Sequence, residues 1–138
     1  MADQLQPGDV FLSITPELSG DNPHFHIVIL KTINDDVLIV YTTKELVKAR
    51  VRCQRAERIK FPHIDPETLV IVNAKHSSAF SIDSAIDCNK AILKPQDYFL
   101  NKQYFKKCTP IQSSKTIDII KDGILKSDIV PDYIKKLL

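Results

Sequence analysis

Two histidines stand two residues apart in His24-Phe25-His26. On a strand, side chains at i and i+2 share a face. Both imidazoles would then point the same way, as an acid/base pair or half of a metal site requires. The plainer alternative is a polar strand start whose rings meet solvent. Thr42-Thr43-Lys44 closes an apolar run. Its hydroxyls suit a phosphate oxygen or the orienting of a histidine, although threonine also simply favours strands. Lys75-His76-Ser77-Ser78, with Asp83-Ser84 close behind, adds a third histidine, more hydroxyls and a carboxylate near a turn. Lys44, Lys48, Arg50, Arg52, Arg55, Arg58 and Lys60 form a basic block against Glu45 and Glu57. Such a block attracts phosphates, or is a solvated charged face.

Other chemistries fit poorly. No serine lies in the glycine-flanked turn of a nucleophile elbow. None of the three glycines belongs to a nucleotide-cradling loop. Cys53, Cys88 and Cys108 are odd in number and lack C-x-x-C spacing, which rules out a disulfide scaffold or a four-cysteine zinc site as the full explanation. His24, His26 and His76 leave a zinc site open, as in a metal-dependent hydrolase, but no fourth ligand is obvious, and the expectation is no metal and no other cofactor. His63, in a proline-bracketed loop, is assigned no role.

The elements that must position these residues are mostly strands. Val10–Ile14, Phe25–Leu30, Val37–Tyr41 and Leu69–Val72 are short runs rich in β formers. Asn34-Asp35-Asp36 reads as the turn of an antiparallel hairpin. Phe80–Cys88 alternates, with Phe80, Ile82, Ile86 and Cys88 on one side and Ala85 out of step. Residues 44–60 are ambiguous between helix and strand. Ser113-Ser114 precedes Ile117, Ile120 and Ile124 at helical spacing, and Pro131 suits the first turn of a final helix through Leu138. Strands first and helices last predict a mainly β, α+β domain: a curved antiparallel sheet or small barrel packed by C-terminal helices.

The 138 residues suit one domain spanning 1–138, and 43% hydrophobic with 26% charged residues is a globular composition. No apolar run reaches the roughly 18 residues of a membrane span. The first residues lack a signal-peptide pattern. A cytoplasmic protein without membrane contact is expected.

Several of these segments, in order, resemble the PemK/MazF-like toxin superfamily. Pro7-Gly8-Asp9-Val10-Phe11 is similar to its opening strand. The strand from His24 to Leu30, Val37-Leu38-Ile39-Val40-Tyr41-Thr42-Thr43 and Asp83-Ser84-Ala85-Ile86-Asp87 resemble later ones. The likeness covers most of residues 7–93, with a longer connection over 44–68. It implies an SH3-like barrel, a homodimer, an antitoxin partner and endoribonuclease activity. The family's chemistry typically uses an arginine near the start of the second long strand and a Thr or Ser at the end of the third. Thr43 matches, with Thr42 as neighbour, whereas His24 and His26 stand where the arginine would be. Histidine titrates near neutrality but lacks arginine's permanent bidentate grip.

The resulting expectation is a toxin-like, metal-independent endoribonuclease. His26 and His76 act as acid and base beside Thr43, and His24, Thr42, Ser84, Arg50, Arg52 and Arg55 bind RNA. In a hairpin turning near Asp35, paired residue numbers sum to roughly 70, so Thr43 lies close to His26 or His24. The His26 and His76 rings should stand roughly 6–9 Å apart across one phosphate. The alternative is a non-catalytic SH3-like module that binds nucleic acid or a protein, the histidines being incidental.

Overall fold

The computed structural model describes residues 4–15, 22–43 and 66–138. In chain order the elements are β1 (Val10–Ser13), β2 (His24–Lys31), β3 (Asp36–Thr43), β4 (Leu69–Val72), β5 (Ser84–Asp87), β6 (Ile92–Pro95), α1 (Gln96–Leu100), β7 (Phe105–Cys108), α2 (Ser114–Leu125) and α3 (Asp132–Lys135). Short 3-10 turns occupy Pro66–Thr68 and Cys88–Lys90. All strand pairings are antiparallel, in the order β4-β5-β3-β2-β1-β7, with β6 beside β3. The protein is therefore α+β, mainly β, with a helix at its C-terminal end.

The apolar centres of β2 and β3 arise because both faces of the sheet are covered. On the first face Ile27, Leu38, Val40, Val72 and Ile86 pack with Ile117, Ile120 and Ile124 of α2. On the second, Phe11, Val28, Val37 and Ile39 pack with Leu5 and with Phe99 of α1. Fully burying each such side chain stabilises the fold by about 1.5–3 kcal/mol. Between Val28 and Leu30 the β2–β3 register shifts by one residue, a bulge at Ile29. Ile29 and Leu30 consequently both pack with the first cluster. The hairpin turn closes through Thr32, whose carbonyl accepts from Asp35 N at 3.0 Å and whose Oγ1 accepts from Asp36 N at 3.1 Å. Asp35 takes a positive φ of 63° there.

The sheet is not closed into a barrel, which corrects the SH3-like expectation. Among the described residues, β5 meets β3 at Thr42 and Thr43, and β6 takes the edge from Asp36 to Ile39. One edge of β3 is thus divided between two four-residue strands. Among the described residues the branch β5–β4 does not curl round to β7, and β4 and β7 are the outer strands. The expected strand Phe80–Cys88 also shrinks to Ser84–Asp87. Phe80 instead enters the core from a turn, its N–H donating to Ser77 O at 3.1 Å, while Ile82 is exposed. All four residues of β5 are buried, so the broken alternation at Ala85 reflects a strand covered on both faces.

Two glycines are held by close backbone approach. Gly8 has φ +92°, and a Cβ there would lie 2.6 Å from Ile111 O. In α2, a Cβ on Gly123 would lie 2.7 Å from Cys88 Sγ and 3.1 Å from Glu67 O. Glycine there lets the helix sit against the turns flanking β4 and β5.

Candidate functional site

His26 is fully buried on the second face. Its ring stacks on Phe11 with centroids 5.0 Å apart and lies 6.1 Å from Phe99. Nδ1 lies 2.8 Å from the carbonyl of His24, which only accepts, so Nδ1 carries the proton. Nε2 then accepts from the Thr15 hydroxyl at 2.9 Å. Desolvation by burial pulls this imidazole down to about 4, opposed by the His24 carbonyl and assisted by the charges of His24 and Lys102. It is a neutral core histidine near neutral pH, and RNA bound at the surface does not reach it.

His24, two residues earlier on the same face, is half-buried. Its Nδ1 donates to Thr42 O at 2.7 Å, and its ring meets Tyr41 edge-on at 5.5 Å. The β2–β3 register pairs His26 with Tyr41 and Ile27 with Val40, a sum of 67. Continued to the strand end, it sets His24 opposite Thr43. Thr43 is buried, and Thr42 lies on the first face opposite Ile86. The hairpin thus brings His24, Tyr41 and Thr43 to one end of the second face.

His76 does not join them. It occupies the turn after β4, where Nδ1 accepts from Asn73 N at 3.0 Å. That turn packs on the first face: Ser77 Oγ donates to Thr109 O at 2.6 Å, and Phe80 meets Phe25 edge-on at 5.4 Å. The sheet itself stands between the His76 turn and the His26 ring. Ser84 is likewise buried opposite Val72 on the first face, its hydroxyl donating to Ile82 O at 3.3 Å. One cleft holding His26, His76, Thr43 and Ser84 is therefore not what the fold builds. The geometric reason is that β4–β5 joins β3 at its far end, at Thr42 and Thr43, with its loop turned toward α2's face. Arg50, Arg52 and Arg55 lie outside the described residues, as do Cys53 and His63.

Among the described residues, no three His, Cys, Asp or Glu side chains gather as a metal site. Cys88 is buried, and burial pushes the Cys108 thiol up, so neither is an activated nucleophile.

The second face carries cations that the motif-based reading passed over. Lys90 Nζ lies 3.3 Å from Tyr41 Oη. Lys94 and Lys102 lie over the Tyr98 ring, at 5.2 and 4.4 Å from its centroid. Register explains the placement: Lys94 is opposite Val37, and Ile92 opposite Ile39, both on the second face. Lys90, in the 3-10 turn before β6, is placed on this side by its contact with Tyr41. Tyr41 thus holds Lys90 near His24, and Tyr98 holds Lys94 and Lys102, three ammonium groups on the second face. The signal was present in composition: residues 90–107 contain Lys90, Lys94, Lys102, Lys106 and Lys107 against Asp97, interleaved with Tyr98, Phe99, Tyr104 and Phe105.

No protein-family model matches this chain. A comparison with curated proteins finds no match either. No described helix is long and apolar enough to cross a membrane.

Proposed function

We propose that this chain is a non-catalytic module that binds RNA through Lys90, Lys94 and Lys102 on its second face. The observation that supports the reading is the placement of Lys90, Lys94 and Lys102 by Tyr41 and Tyr98. Ammonium groups already ordered lose less side-chain entropy on meeting phosphates. Tyr41 is buried and the Tyr98 ring already carries Lys94 and Lys102, so binding is governed by phosphates rather than sequence. The resemblance to PemK/MazF-like toxins favours RNA as the polyanion.

Fluorescence anisotropy with a labelled single-stranded RNA tests this across a salt series. Replacing Lys90, Lys94 and Lys102 together by Gln should weaken binding by about tenfold or more and flatten the log–log salt slope by about 2, given about 0.7 per phosphate contact. Unchanged affinity and slope would remove the proposal. Replacing Arg50, Arg52 and Arg55 by Gln measures separately what the basic block adds.

A second reading, the toxin-like endoribonuclease, is favoured by one feature: His24 stands opposite Thr43 near Lys90. On that reading His24 acts with the bound RNA's own 2′-hydroxyl, and a homodimer and an antitoxin partner follow. Cleavage of the labelled RNA, lost in a folded His24→Ala variant, would establish it over the binding module.

A further inference from the structure

Tyr104 stands on the short connection between α1 and β7, in the run Lys102-Gln103-Tyr104-Phe105-Lys106. Its backbone is fixed from β1. The Tyr104 carbonyl accepts from the Ser13 hydroxyl at 2.9 Å. Phe105, the next residue, pairs with Ser13 and sets its ring against Phe11 at 4.9 Å. Tyr104 itself is 46% exposed. Unlike Tyr41 and Tyr98, its ring meets no ammonium group and no other ring among the described residues. Lys102, two residues earlier, already belongs to the proposed RNA site through Tyr98. Lys106, two residues later, is exposed. Neither lysine meets a carboxylate among the described residues, whereas neighbouring Lys107 meets Asp9 at 3.3 Å. Each lies within about 7 Å of Tyr104 along the chain.

We infer that Tyr104 is a base-stacking platform of the RNA site and makes the module a reader of single strands. The inference rests on the RNA reading proposed above. In a single strand a base splays out and offers its face, while in a duplex the neighbouring pairs cover it. One base stacks on Tyr104, and Lys102 and Lys106 meet the phosphates on either side of it. Every base has a π-face, so the platform selects strandedness and not sequence. Tyrosine is also common at protein interfaces, but lysine is depleted there, and this ring stands between two lysines. The fixed backbone keeps the cost of ordering small.

Anisotropy titrations with labelled probes of equal length test the inference: a single-stranded RNA, the same sequence as a duplex, and a single strand of abasic sugars. Tyr104→Ala should weaken binding of the single-stranded RNA by about fivefold or more. It should leave the duplex, the abasic strand and the salt slope unchanged, because no phosphate contact is lost. Tyr104→Phe keeps the ring and should bind like wild type. Thermal unfolding of Tyr104→Ala should match wild type, since the ring it removes packs on nothing. Binding that depends on Lys90, Lys94 and Lys102 but ignores Tyr104→Ala overturns this inference and spares the RNA reading. An equal loss on every probe overturns it too, because it makes Tyr104 a phosphate or structural contact. If no RNA binding depends on those lysines, both readings fall.

Discussion

Thr15 and the His24 carbonyl together fix which nitrogen of His26 carries its proton. Thr15→Val removes the hydroxyl and leaves Nε2 buried without its donor. Chemical denaturation should show a loss of about 1–3 kcal/mol. The same burial makes His26 a source of pH dependence. Its folded value, about 4, lies below the 6.5 of the unfolded chain, so the unfolded state binds more protons between them. Stability from this residue is full above the unfolded value and is lost as pH falls through that window, by up to about 3 kcal/mol. Urea unfolding at a series of pH values should show that fall. His26→Phe keeps the stack on Phe11 and lacks the titration. Its stability should be lower at neutral pH and less steep between those limits.

Among the elements, α2 shows tertiary contact overruling local preference. Gly123 lies within its last turn and a half, where alanine gains about 1 kcal/mol of helix propensity. Gly123→Ala should nevertheless destabilise the protein by about 1–3 kcal/mol, because the new methyl meets Cys88 Sγ and Glu67 O. Thermal unfolding of Gly123→Ala, Cys88→Ala and the double variant forms a cycle in which removing the sulfur relieves part of the cost. Additive effects would show that the Cys88 contact is not the cause. The helix's apolar spacing was readable in advance, since Ile117, Ile120 and Ile124 are all buried. The reason for Gly123 was not, because its neighbours are distant in sequence.

At the scale of the whole molecule, the two apolar clusters share the β2–β3 hairpin, and the edges do not. Amides of β2 and β3 should therefore exchange only on global unfolding, while β7 and β4 open locally at lower cost. Hydrogen-exchange mass spectrometry at low concentration checks this ordering. Equal protection of β3 and β7 would mean that the sheet opens as one unit.

The amino-acid sequence by itself determined the hairpin and its strands. Phe25–Leu30, Val37–Tyr41 and Leu69–Val72 lie within β2, β3 and β4. Composition and β-branching are local properties, and a short polar turn leaves the two long strands one way to pair. It also determined the apolar face of α2, through spacing alone. Which side of the sheet each histidine occupies was decided only by the tertiary structure. Two imidazoles on one strand share a face by alternation, but His26 is sealed by Phe11 and Phe99, which arrive from β1 and α1. His76 is carried to the other face because the loop between β4 and β5 packs against Phe25 and Thr109. β7 went unread because a four-residue strand carries too few side chains to show a period. Barrel closure depends on the sum of such short, non-local pairings. A pattern one residue deep on each strand records which side is apolar, not how far the sheet extends before its edges stop.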